Sequence, residues 1–390
     1  MRPLVKPLVA VVALSLATSS AFAAMGAGKP AAKASSCGPV VNKKVDELLN
    51  PNSPSRAVSS CWQDRIAFGG AIKVVGQSAE VGTNASGSDT FLNVRSLTVL
   101  TDISINDDTR LHIRTNADSD LTNNAPVSGE ELSNFGITEA YVTMSNLAKA
   151  PVFLKVGKGF TPFGSYSDPK AAVYSLNQSV VQGNNTHLSL GFASNAGYEL
   201  SAFVFENETD DKWDEYGLRF GYVGSMKGTD IKFNVSYVDN MSALNGEHSD
   251  KVVTNATLDT AAYDVALGLK MRDFSIGVES FKADGGLISS QTTKPEITSF
   301  GAKYDFMAGK KEADLHLGYE KSKNASGLTT AMFAKYTNGL PEKHASFGMG
   351  YKFSKNSNLS LDYHKFEAYS SQSAYVRDQK QVVLELNMMA

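Results

Sequence analysis

From about residue 64 onward, runs of roughly ten residues alternate apolar and polar side chains with a period of two, and this restricts the fold more than any other feature of the chain. Tyr216, Leu218, Phe220 and Tyr222 share one parity, while Gly217, Arg219 and Gly221 share the other. After a turn signal at Gly224 to Gly228, Ile231, Phe233, Val235 and Tyr237 oppose Lys232, Asn234 and Ser236. Tyr263, Val265, Leu267, Leu269 and Met271 repeat the design against Asp264, Gly268, Lys270 and Arg272. So do Ala313, Leu315, Leu317 and Tyr319 against Asp314, His316, Gly318 and Glu320. Successive side chains of a strand point to opposite faces, so each run makes a strand with one apolar and one charged face.

A soluble sandwich also alternates, so two further features are needed to separate it from a membrane barrel. Aromatic residues gather near the ends of the apolar faces, at Tyr222, Tyr263, Phe274, Tyr304, Phe306, Tyr351, Phe353 and Tyr363, as girdles at two lipid interfaces require. Connections also alternate in length. Tight turns near 106–108, 195–197, 272–273, 309–310 and 356–358 interleave with polar loops near 118–133, 161–184, 239–259 and 321–343. The expectation is an all-β transmembrane antiparallel up-and-down barrel over residues 64–390, with about 16 strands and short periplasmic turns. If Thr329 to Tyr336 adds a strand pair, the count is 18. The last run, with Val382, Leu384, Leu386 and Met388 on one face, reads as the closing strand.

Arg2 and Lys6, an apolar stretch from Pro7 to Leu16, and Ala21-Phe22-Ala23 read as a secretory signal peptide over residues 1–23. The apolar stretch is short of the roughly 20 residues of a spanning helix. Residues 24–63 then form a short periplasmic extension rich in Ala, Lys, Ser, Pro and Gly. Cys37 and Cys61 both fall in it, and in an oxidising compartment the simplest reading is one disulfide, worth about 3 kcal/mol in a chain-entropy model. With two thiols and scattered histidines, neither a metal nor a cofactor is expected. A net charge of -3 gives no reason to expect a nucleic acid as partner. The surroundings expected are outer-membrane lipid and lipopolysaccharide.

Nucleophile elbows, phosphate-binding loops and zinc-protease motifs are absent from the sequence. Ser360, Asp362 and His364 share one strand face, but residues two apart on a strand are about 6.6 Å apart, too far for a direct relay. An enzyme is therefore not expected. With apolar residues toward lipid, the lumen would receive Arg110, His112, Arg114, Lys155 and Arg219, with Lys73, Lys232, Lys270, Arg272, Lys303 and Lys352. It would also receive Glu139, Asp264, Glu279, Asp305, Asp314, Glu320, Asp362 and Glu385. These charges either neutralise one another as a hydrated wall or leave a basic excess that attracts an anion. Arg110, His112, Arg114, Glu139, Tyr141, Lys155 and Arg219 are the candidate solute contacts. Pro162, Phe163 and Gly164 end a strand and begin the segment to Gly183, which is either an external loop or one folded inward as a constriction.

The stretch Ile137-Thr138-Glu139-Ala140-Tyr141-Val142-Thr143-Met144, followed by Pro151, Leu154, Gly157-Lys158 and Pro162-Phe163-Gly164, resembles the LbtU-type siderophore porins of Gram-negative outer membranes. The match covers about Ile137 to Val180, and its Pro-Phe-Gly portion is shared with phosphate-selective porins. The resemblance implies facilitated passage of a ferric siderophore through the lumen. A general or anion-selective porin for phosphate or carboxylates is the alternative, and a non-transport surface barrel a further one. The extension lacks the heptad-rich segment associated with many such porins, so a homotrimer stays open.

Overall fold

The computed structural model describes residues 66–81, 88–106, 108–118, 133–145, 150–164, 175–194, 196–207, 212–244, 257–288, 293–328, 340–369 and 379–389. The segments read as signal peptide and extension lie outside these residues, with Cys37 and Cys61, and so does Thr329 to Tyr336. Among the described residues, β1 (Ile66–Val81), β2 (Ser88–Asn106), β3 (Thr109–Asp118), β4 (Ser133–Ser145) and β5 (Val152–Phe160) precede the short helix α1 (Leu176–Val181). Then follow β6 (Asn184–Ala193), β7 (Tyr198–Asn207), β8 (Lys212–Met226), β9 (Thr229–Val238), β10 (Ala262–Met271) and β11 (Phe274–Ala283). The last are β12 (Glu296–Ala308), β13 (Lys311–Lys323), β14 (Lys343–Ser354), β15 (Ser357–Glu367) and β16 (Gln379–Met389).

Every strand pairs antiparallel with its neighbours in sequence, and β1 closes the sheet on β16 through pairs such as Ala71 with Met389 and Val75 with Glu385. Closure leaves no unpaired edge, which is what lets a sheet exist in lipid. Sixteen strands is the count the alternation predicts. Two local readings need correction. β8 runs through Gly224 to Met226, and the turn is only Lys227 and Gly228, whose φ values of 50° and 81° suit a two-residue hairpin. Arg272 is not on a strand face; it is the first turn residue after β10, with φ 51°.

The parities separate as expected over most of the wall. Leu218 is 51% and Leu267 41% exposed on the outer face, while Asp264, between Tyr263 and Val265, is fully buried inside. Tyr198, Tyr222, Phe274, Tyr304, Phe306, Tyr351 and Phe353 ring the short-turn end, with Tyr198 and Tyr222 centroids 4.8 Å apart. Tyr216, Tyr237 and Tyr263 ring the loop end, with centroid distances of 6.2 and 5.1 Å. The apolar belt between two aromatic rings is the surface a bilayer selects.

One part of the inner face breaks this rule. Near the loop end Phe203, Phe205, Val238, Phe281, Ile297, Phe366 and Val383 point inward and are buried in one apolar cluster with residues of the inter-strand segments. There, apolar parity does not mean contact with lipid.

Candidate functional site

The segment after β5 enters the barrel. Phe163 is fully buried against Phe281 of β11, with ring centroids 6.5 Å apart in an edge-to-face arrangement. The Gly164 N–H donates to Ser236 Oγ of β9 at 2.9 Å. Gly164 has φ 79°, and an added Cβ would overlap the Val181 side chain, so both conformation and space demand glycine. α1 packs against β11, β12 and β13, burying Leu176, Val180 and Val181 in the apolar cluster. Ser175 caps it, its hydroxyl accepting from the Gln178 N–H at 3.2 Å. At the other end the Thr161 N–H donates to Gly183 O at 2.9 Å, which closes the base of the segment. Met241, Ala243 and Leu244, after β9, add to the same cluster, and Asn185 Nδ2 holds them by donating to Ala243 O at 2.9 Å.

The polar candidates lie on the wall from which this segment departs. Asp102, His112 and Tyr141 are directly paired across β2, β3 and β4. His112 Nδ1 is 2.9 Å from Asp102 Oδ1, and its ring stacks on Tyr141 at 4.9 Å. Lys155 Nζ sits 4.0 Å above the Tyr141 ring, so the tyrosine presents its negative π face to a buried ammonium. Arg114 Nη1 donates to Glu139 Oε1 at 3.2 Å, beside an irregularity in the β3–β4 pairing at Arg114 and Thr115. Arg110 Nε is 3.5 Å from Asp102 Oδ1. Arg219, on β8, stands apart from this set: its Nε donates to Asn234 Oδ1 at 2.8 Å and lies 3.3 Å from Glu199 Oε2. Six of the seven predicted contacts therefore form one patch on β3 to β5, and Arg219 meets its edge only through Glu199, which Lys155 also faces.

The wall from β10 round to β16 is acidic and imidazole-rich. Asp264, Glu279, Glu320, Asp362 and Glu385 are buried on β10, β11, β13, β15 and β16, with His316, His344 and His364 among them. Ser360, Asp362 and His364 do share the inner face, but their partners lie across strands: Asp362 meets His316, and His364 meets His344.

No family model matches the chain. A UPF0422 protein of Coxiella burnetii is 20% identical over 246 residues, covering 58% of this chain and 50% of that protein, so the match spans half of the relative's length. Among solved structures, Salmonella typhi OmpF in complex with daunomycin superposes with a TM-score of 0.55 at 15% identity, over 85% of this chain and 99% of that one. The outer-membrane channel DcaP of Acinetobacter baumannii gives 0.53 at 12% identity, over 83% and 97%. An anion-selective porin from Comamonas acidovorans gives 0.50 at 13%, over 83% and 99%. The chain thus has the fold of bacterial outer-membrane porins, and its apolar belt is that of an outer-membrane barrel.

Three participants escape a reading of the sequence alone. Asp102 and Glu199, the carboxylates that answer Arg110 and Arg219, lie in runs where the inner parity is itself apolar in places, as at Phe203 and Phe205 beyond Glu199. Ser175 gives no signal, because its partner Glu320 is 145 residues away.

Proposed function

We propose that this chain is a porin-type channel of the outer membrane, with α1 and the described residues that flank it, 161–164 and 175–183, as its constriction. The observation that carries it is α1, which leaves the β5 side and packs on β11 to β13 across a polar lumen. A closed 16-stranded barrel is wide enough for an aqueous path, and an inward segment is what narrows one. The cations of β3 to β5 and the acids of β10 to β13 occupy opposite arcs of the closed strand order, which sets a field across the lumen. Such a field orients a small solute with its negative group toward Arg114 and Lys155.

A small anion such as phosphate or a carboxylate is the reading supported best. The ferric siderophore suggested by the Ile137 to Gly164 resemblance has its support in the same patch: the stacked His112 and Tyr141, with Lys155, suit an anionic aromatic or carboxylate ligand. Phe163, Leu176, Val180 and Val181 are fully buried, however, so a bulky chelate requires this segment to move. That weighs toward the smaller solute. Assembly as a homotrimer is compatible with either.

The test is conductance and reversal potential of the purified protein in a planar bilayer, beside uptake of labelled ferric siderophore by cells with and without it. Anion-biased conductance with unchanged siderophore uptake supports the small-solute reading. Uptake lost with the protein supports the siderophore, and an inserted protein that never conducts refutes the channel.

A further inference from the structure

Glu320 of β13 is where the inward segment finishes its crossing. Its Oε1 accepts from Ser175 Oγ at 2.8 Å, and its Oε2 accepts from the Leu176 N–H at 2.8 Å. Ser299 Oγ of β12 donates to Oε1 at 2.7 Å, and His344 Nδ1 of β14 lies 2.8 Å from Oε2. His344 Nε2 in turn lies 3.0 Å from His364 Nδ1 of β15, with Phe366 stacked on His344 at 4.5 Å. One buried carboxylate therefore ties the start of α1 to three wall strands, 144 residues away from the first residue of α1 that it binds.

The hydrogen count constrains how this chain can be protonated. An ionised carboxylate only accepts, so His344 carries its hydrogen on Nδ1. With both imidazoles neutral, His344 Nε2 accepts and His364 Nδ1–H donates, and every bond is satisfied. With both charged, two N–H groups face each other at the 3.0 Å contact and repel. A protonated Glu320 loses an acceptor where Ser175, Leu176, Ser299 and His344 all donate. The other ionisable groups packed around it are Asp264 of β10, whose Oδ2 is 3.5 Å from Asn177 Nδ2, and Glu279 of β11, in the same cross-strand row through Ser299. Asp314, His316 and Asp362 lie farther toward the turn end of β13 and β15. α1 contributes no charged side chain of its own.

We propose that Glu320 is the latch of the constriction: its carboxylate pins Ser175 and the start of α1 to the wall, and removing that carboxylate releases them. This rests on the reading of the barrel as a channel and adds a means of regulating it.

The experiment is conductance of the full mature protein in a planar bilayer at neutral pH, with insertion checked by heat-modifiable electrophoretic mobility. Wild type is expected to conduct weakly and Glu320→Gln about tenfold more, the scale of losing one charge-assisted hydrogen bond. Ser175→Ala removes a bond from the segment's side and leaves the wall intact, so it tests the same latch even if Glu320→Gln folds poorly. A third variant lacking residues 165–182 separates the two levels. If it conducts more than wild type while Glu320→Gln and Ser175→Ala match wild type, the latch is wrong and the channel stands. If no inserted variant conducts at all, the channel reading fails and the latch falls with it.

Discussion

His316 Nε2 of β13 and Asp362 Oδ1 of β15 lie 2.5 Å apart, and they meet over the intervening strand β14 at Gly348. His316 Nδ1 is also 2.8 Å from Asp314 Oδ1, so the imidazole bridges two carboxylates on the inner wall. A Cβ added at Gly348 would overlap both Asp362 Oδ1 and His316 Nε2. The absence of a side chain on β14 is what allows two residues from non-adjacent strands to bond.

Gly348→Leu should therefore force the His316–Asp362 bond apart and leave buried polar groups without it. The expected loss is about 1–3 kcal/mol of stability, the usual range for overpacking a filled site. It is measured as a lower urea midpoint for the protein in detergent or lipid. An unchanged midpoint would mean that the wall yields freely at β14.

The outer face makes a second demand. Leu267 is exposed to lipid between the inward neighbours Ala266 and Gly268, and Arg at this position should cost roughly 2–4 kcal/mol near the bilayer midplane. Spin labels at 267 should be quenched by lipid-soluble probes and labels at 268 by water-soluble ones. The reverse pattern would overturn the facing of the whole strand.

What the sequence makes legible, and what it hides, follows from the range of the interactions. Alternation is a nearest-neighbour property of a strand, so the barrel, its 16 strands and the facing of Leu218 and Leu267 can be read directly, as can the turn at Arg272 and Asp273 to within one residue. The rule fails at Phe203, Phe205, Phe281 and Ile297, because an apolar segment lies inside the barrel and gives the inner parity something apolar to pack on. Pro162 and Gly164 signal that the chain leaves the wall, but not which way it goes. That is decided by Phe281, Ser236 and Glu320, which lie 72 to 145 residues farther along the chain in their contacts with the segment or its flanks. For the same reason, six of the candidate contacts fall together through adjacent strands, while Ser175, the partner of Glu320 145 residues away, escapes a local reading.

Gly164 offers a test of the constriction that leaves the wall untouched. Its φ of 79° costs an L side chain about 1–2 kcal/mol, and a branched residue would also collide with Val181. Gly164→Val should loosen the packing of α1 and raise single-channel conductance, with the urea midpoint of the barrel nearly unchanged. A conductance equal to wild type, in a variant shown to insert, would mean that α1 does not limit the path.

The charges of the β3 to β5 patch set the last expectation. Arg114 is bonded to Glu139 at 3.2 Å and Lys155 lies over Tyr141, so each cation is already partly compensated and contributes to selectivity only modestly. At the water-facing Arg114 a pair of unit charges at 4 Å is worth about 1 kcal/mol, and fields fade beyond about 10 Å in 0.1 M salt, whereas the buried Lys155 is screened less. Arg114→Glu combined with Lys155→Glu replaces two cations by two anions beside Glu139, and should shift the reversal potential toward cations strongly at low salt and weakly at high salt. Glu139→Gln removes the compensating anion instead and should move it the opposite way. Opposite shifts from the two variants are the signature of a local field acting on the permeating solute, since a mere disturbance of the barrel would move both in one direction. If neither variant moves the reversal potential at low salt, the solute does not pass along this wall.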